Sequence, residues 1–150
     1  MPKTNFASLP SLAGSEIGVS DWLTVDQNRI NLFADATGDH QWIHVDTERA
    51  TRELPGGKTI AHGYLTLSLI PAMTEGLMEI EGLTRVINYG TDKVRFTAMV
   101  PVGSRLRARQ KLLRAEPKGG GLQLVSEVTV EIEGEKRPAC VAEIIMLVYG

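Results

Sequence analysis

Two stretches in the second half of the chain alternate strictly between apolar and polar positions. Leu122, Leu124, Ser126, Val128, Val130 and Ile132 interleave with Gln123, Val125, Glu127, Thr129, Glu131 and Glu133. Leu106, Ala108, Gln110 and Leu112 interleave in the same way with Arg105, Arg107, Arg109 and Lys111. A period of two is that of a strand with one face buried. Lys118-Gly119-Gly120-Gly121 between them predicts a hairpin loop. Pairing the two strands sets the basic face of one beside the acidic face of the other as cross-strand ion pairs. Residues 141–149 are apolar on both faces, which predicts a central strand or one packed at a subunit interface. Residues 83–96 predict a further strand, broken near Gly90.

The first half has a different rhythm. Residues 1–14, rich in Ser, Pro and Gly, are expected to drape over the surface, and residues 16–23 to form a short strand. Thr24 followed three residues later by Gln27 has the spacing of a capping box. The helix it opens carries Ile30, Phe33, Ala34 and Thr37 on one face, and Gly38 suits the left-handed position just past its end. Residues 39–60 are expected as a loop, with a short helix near 46–53 and a close at Pro55-Gly56-Gly57. From His62 the pattern becomes Leu65, Leu67, Leu69, Ile70, Met73, Leu77 and Met78, a helix apolar on most sides and so buried. Pro71 removes one of its hydrogen bonds and predicts a kink or an early end. The order is strand, helix, loop, buried helix, then about four antiparallel strands. The expectation is a single α+β domain over residues 1–150, a curved antiparallel sheet wrapped around one long buried helix.

Composition narrows the function classes. The 150 residues are 43% apolar and 23% charged with a net charge of -2, so no basic excess points to nucleic acid. No segment has the roughly 20 consecutive apolar residues of a membrane span. Lys3 is followed by no apolar stretch of the kind a secretory signal carries. The single Cys140 lies in an apolar run and reads as a small core residue. These features describe a soluble, cytoplasmic protein.

The chemistry concentrates in two segments, Thr37-Gly38-Asp39-His40-Gln41-Trp42-Ile43-His44 and Ala61-His62-Gly63-Tyr64. Asp39 follows a forced turn, and an Asp in that place commonly satisfies nearby backbone amides. Paired with His44 it offers more. A loop reversing after Gly38 brings a carboxylate and an imidazole to one water, Asp39 to accept its proton and His44 to hold it and return a proton. Gly63 begins the buried helix, where first-turn amides lack partners, and a glycine lets a carbonyl oxygen approach its N–H. The bland alternatives are that Gly63 permits tight packing and His62 serves as some cap. Asp39, His40, His44 and His62 also contain the donor types of a zinc site. The i,i+4 spacing of His40 and His44 converges only on a helix, however, and this segment starts after a helix stop. No metal is therefore assigned. The Arg105, Arg107, Arg109 and Lys111 row is either a phosphate-binding surface or a solvated face balanced by Glu127, Glu131 and Glu133.

Ala36-Thr37-Gly38-Asp39, His44 and Ala61-His62-Gly63 resemble the MaoC-like, (R)-specific enoyl-CoA hydratases, in particular short bacterial members including mycobacterial ones. Asn88-Tyr89-Gly90, Val94-Arg95-Phe96 and Pro101-Val102-Gly103 extend the resemblance from about residue 20 to the C-terminus. It implies a hotdog fold and a homodimer holding an acyl-CoA or acyl-carrier-protein thioester near the subunit interface. It also implies reversible syn hydration of a trans-2-enoyl-CoA to the (R)-3-hydroxyacyl-CoA, in fatty acid metabolism. Asp39 and His44 would activate water, Gly63 would bind the thioester oxygen, and no metal or redox cofactor would be needed. The chain departs from the family's Gly-Asp-x-Asn-Pro-x-His in having Gln41 and Trp42 for Asn and Pro. Gln41, Trp42 and His62 are therefore supporting or pocket candidates, Trp42 packing under the loop or lining the acyl pocket. The competing readings are a thioesterase, for which Glu75 and Glu79 are the helix carboxylates, and a non-catalytic acyl-thioester-binding subunit.

Overall fold

The computed structural model describes residues 2–150. Its sheet has the strand order β2-β6-β7-β8-β5, formed by Glu16–Val19 (β2), Arg85–Arg95 (β5), Arg105–Lys118 (β6), Gly121–Ile132 (β7) and Cys140–Tyr149 (β8). All its pairings are antiparallel, and Leu23–Thr24 (β3) adds a short continuation on β6. The two alternating stretches are the neighbours β6 and β7, in the register Arg107 to Glu131 and Lys111 to Glu127. Their outward charges pair as the pattern requires. Arg105 reaches Glu133 at 2.9 Å, and Arg107 and Arg109 both reach Glu131 at 3.0 Å. Arg109 also holds Glu16 at 2.7 Å. Three of the four cations are thus occupied by carboxylates, which favours the balanced strand face over a phosphate surface.

The expected first strand is two strands. Between them the Ala108 amide donates to the Ser20 hydroxyl and the Ser20 amide to the Ala108 carbonyl, so the chain stays tied to β6 while it bends. Helix α1 (Gln27–Thr37) is capped by Asp26, whose carboxylate accepts the Arg29 amide at 2.8 Å. The expected capping box therefore does not form. Thr24 is held in β3 opposite Arg105, and the residue next to the helix takes the cap. Gly38 ends α1 in the left-handed conformation at φ 80°, as expected.

The single long buried helix is replaced by α4 (Gly63–Ser68) and α5 (Ile70–Thr74). Pro71 lies at the start of α5, where its missing N–H costs nothing, so the chain restarts a helix instead of kinking one. Leu77 and Met78 fall outside it; Met78 joins a second apolar cluster. Leu65, Leu69, Ile70 and Met73 pack in one core with Leu106, Ala108, Val128, Val130 and Ala142 of the sheet. Cys140 is in that core, and burial pushes its thiol up to about 11.

The N-terminal segment does more than drape. Lys3–Asn5 (β1) pairs in parallel with Glu79–Glu81 (β4), and Leu9 is fully buried beside Leu122 and Val148. Two helices follow α1: one turn at Trp42–Val45 (α2), which the pattern missed, and Thr47–Glu53 (α3), which it anticipated. Among the described residues no helix is long and apolar enough to cross a membrane.

Candidate active site

Three side chains meet where α1, α2 and α4 come together. Asp39, His44 and His62 each offer a ligand-type atom, and those atoms lie within 4.8 Å of one another. Asp39 is exposed, whereas His44 is 6% and His62 2% exposed. The left-handed Gly38 turns the chain out of α1, and α2 then carries His44 inward. The His44 Nδ1–H donates to the Ile60 carbonyl at 2.6 Å. A carbonyl only accepts, so the proton of the neutral ring is on Nδ1 and Nε2 keeps its lone pair. Burial lowers the pKa of His44; the Ile60 bond opposes this, His62 adds to it, and Asp39 opposes it. The neutral ring is therefore favoured.

Gln27 was read as part of a cap and is a brace. Its Nε2 donates to the His44 carbonyl at 2.8 Å and its Oε1 accepts the Thr59 hydroxyl at 2.5 Å. Ile60 N to Ile43 O, at 3.0 Å, completes the link from α1 through the 54–62 segment to α2. A further bond to Asn31 Oδ1 at 2.9 Å stays within α1, but nothing in the local sequence marks Gln27 as a brace, because the two braced partners are 17 and 32 residues away.

Gly63 is the first residue of α4, where the amides have no intrahelical acceptor. A Cβ built there would stand 2.8 Å from Cδ2 of Phe96, so any larger residue would have to push that ring aside. His44, Gly63, Thr66, Phe96 and Arg137 line a cleft of about 450 Å³. Phe96, Thr66 and Arg137 were not singled out from sequence as site residues, although Phe96 belongs to one of the matching segments.

The other candidates are placed elsewhere. His40 is turned away, its Nε2 2.9 Å from Asp35 on the surface. Gln41 is exposed; its amide points to Asp39 Oδ1 at 3.4 Å. Trp42 is the first residue of α2, a position proline also suits. Its ring lies under Arg49 of α3 at 3.8 Å and not among the cleft residues, so it packs the loop instead of lining the pocket. His62 stands at the N-cap position of α4, but its side chain makes no capping bond. It reaches back across the site, its Nε2 3.0 Å from the Asp39 carbonyl. The His44 and His62 rings stack with centroids 3.8 Å apart and planes at 24°. Imidazole lone pairs lie in the ring plane, so near-parallel rings aim them side by side and not at one ion.

The model of the family described as "MaoC like domain" matches residues 8–134. The chain belongs to the MaoC-like dehydratase family. Among curated proteins it is 53% identical over 141 residues to 3-hydroxyacyl-thioester dehydratase Z of Mycobacterium tuberculosis, covering 93% of each chain. It is 50% identical over 150 residues to nodulation protein N of Rhizobium leguminosarum bv. viciae, covering 99% of this chain and 93% of that one. Among solved structures it superposes on the R-hydratase PhaJ1 of Pseudomonas aeruginosa with a TM-score of 0.74 and 23% identity, over 91% of this chain and 81% of that one. The fold of this MaoC-like protein is accordingly the expected α+β hotdog, its helical part being the broken pair α4 and α5.

Proposed function

We propose that this protein is a 3-hydroxyacyl-thioester dehydratase that also runs as an (R)-specific enoyl-CoA hydratase. The observation that carries the proposal is the convergence of the Asp39 carboxylate with a His44 whose bond to Ile60 leaves Nε2 as an acceptor. Two acceptors can hold one water by its two hydrogens and aim its oxygen at a β-carbon. In hydration the water oxygen bonds to Cβ as its proton passes to Asp39. The C=C electron pair moves toward the thioester oxygen, which accepts the Gly63 N–H. Asp39 then returns the proton to Cα from the same side, giving syn addition and restoring the carboxylate. This assigns both transfers to Asp39, where the sequence had suggested that His44 returns the proton. A neutral ring protonated at Nδ1 has no proton at Nε2 to give. The scheme balances without a cofactor. Oxyanion donors of the Gly63 kind account for about 10²–10³ in rate elsewhere.

Family membership and the dehydratase name of the mycobacterial relative support the reaction class. The thioesterase reading lacks a carboxylate that the buried helices bring to the cleft. Glu75 is exposed beyond the end of α5, and Glu79 lies on β4 paired with Lys3 at 3.4 Å. The same reading includes a homodimer and an acyl thioester of CoA or a carrier protein. Its support is β5, an 11-residue edge strand with Val86, Ile87 and Tyr89 all more than 40% exposed. Open apolar edges of that length are templates for a second chain.

The deciding assay follows the enoyl-thioester absorbance of crotonyl-CoA and of a longer-chain analogue. Loss of the band without thiol release, abolished by Asp39→Asn and His44→Gln, with (R)-3-hydroxyacyl-CoA as product, is the expected result. Full activity in both variants would end the proposal.

A further inference from the structure

His62 is a polar residue in a place where packing alone would select a phenylalanine. It is 2% exposed and its ring lies between two others, stacked on His44 and 4.9 Å from Phe33. Its Nδ1 is buried and has no hydrogen-bond partner. Its Nε2 is 3.0 Å from the Asp39 carbonyl, which only accepts, so the ring proton is on Nε2 and Nδ1 holds an unused lone pair. A ring kept for its shape would shed that lone pair. What His62 has and phenylalanine lacks is the donor to Asp39.

The three parts of the site reach this one residue by different routes. Asp39 arrives from α1 through a turn with no other strong restraint: its amide lies 3.4 Å from the Thr37 hydroxyl, and its carboxylate 3.4 Å from the Gln41 amide. Both distances are long for hydrogen bonds. His44 arrives on a single turn of helix, and its ring is steadied by Ile60 on its edge and His62 on its face. Gly63 is covalently next to His62, so its N–H moves with that residue.

We infer that His62 is the positioning residue of the site, its Nε2–H fixing the Asp39 main chain and its ring face fixing the His44 imidazole beside the Gly63 amide. The inference rests on the dehydratase reading for its kinetic consequence but not for its structural one. The titratable groups that act on His44 are Asp39 and His62, and the charged Arg137 lines the same cleft; His40 is outside, paired with Asp35. His62 adds to the lowering of the His44 pKa that burial begins. His62 therefore also helps to keep His44 neutral.

The test separates donor from ring. His62→Phe keeps the ring and removes the donor, and His62→Leu is a second donor-less variant should the first fail to fold. His62→Gln returns an N–H near the same place without the ring. In the donor-less variants kcat for enoyl-CoA hydration is expected to fall about 30-fold or more, with KM within about threefold, in the range a misplaced catalytic group costs. His62→Gln, which restores the donor but not the ring face, is expected to recover most of that loss and to remain about threefold to fivefold below the parent. In all three the acid limb of the kcat/KM profile moves up, because the second imidazole is gone. Independently of substrate, backbone 15N order parameters at 39–41 should be rigid, near about 0.85, in the parent and His62→Gln, and fall in the donor-less chains.

If the parent proves inactive, the dehydratase reading fails and the order parameters alone decide the inference. Unchanged order parameters and activity in His62→Phe would overturn it. So would equal losses in the Phe and Gln variants with an unmoved pH limb, since that is the mark of a packing residue.

Discussion

Replacing Gln27 with methionine keeps the length of the side chain but removes three hydrogen bonds, those with Thr59 and the His44 carbonyl and an exposed one to Asn31. Thr59 is 1% exposed and Gln27 is the acceptor of its hydroxyl, so the substitution leaves a buried O–H without a partner. An orphaned buried group of that kind costs about 1–3 kcal/mol, and loss of the bond to the His44 carbonyl adds about 1 kcal/mol. The expected total is about 2–4 kcal/mol, or a fall in Tm of about 5–15 °C for a chain of this size. Urea denaturation followed by the fluorescence of Trp22 and Trp42 gives the free energy by linear extrapolation. Thr59→Val alone orphans the Gln27 carbonyl. In the double variant Gln27→Met with Thr59→Val neither group is left unpaired. It should therefore be less destabilised than the sum of the singles by at least about 1 kcal/mol. Because the lost brace also holds the main chain of His44, kcat/KM should fall about tenfold in Gln27→Met. Additive effects within about 0.5 kcal/mol, or a Gln27→Met protein as stable as the parent, would refute the reasoning.

The remaining predictions concern pH and assembly. Burial lowers the His44 pKa, with His62 reinforcing it, so kcat/KM should stay level as pH falls through the ordinary value of 6.5 and decline only below it. The sign for stability is the same: the unfolded chain takes up the proton first, so the contribution present above 6.5 is lost as pH falls. An acid limb at or above 6.5 in a pH-rate profile would contradict this. Light scattering should give twice the chain mass of 16.4 kDa, and Ile87→Lys on the β5 edge should shift the equilibrium toward monomer. A parent protein that stays at 16.4 kDa throughout the micromolar range would remove the dimer from the proposal.

Much of the fold was legible because its signals are local. The β6–β7 hairpin follows from a period of two and a glycine loop, and the meeting of a basic face with an acidic one, seen at Arg107 and Glu131, could be anticipated. The end of α1 was legible because only glycine takes φ 80° at little cost. The buried helix was half legible. Its apolar surface showed in the composition, but whether Pro71 kinks it or starts a new one depends on how the chain packs on the sheet. The N-terminal strand and the burial of Leu9 were not legible, since their partners are at Glu79–Glu81, Leu122 and Val148.

For the site, sequence determined the chemical inventory: a carboxylate after a forced turn, imidazoles at 44 and 62, and a glycine at the head of a helix. Each comes from residue type and short-range spacing, which the chain carries in any conformation. Only the tertiary structure decided what those groups can do. The Ile60 carbonyl selects the tautomer of His44, Gln27 reaches over from α1 to hold its main chain, and His62, a supporting candidate in the sequence, makes contact with Asp39. These are bonds across 16, 17 and 23 residues of sequence. Their direction is set by where α1, α2 and α4 cross. A hydrogen bond is strong only within a few tenths of an ångström and a limited angle, and no spacing along the chain encodes that.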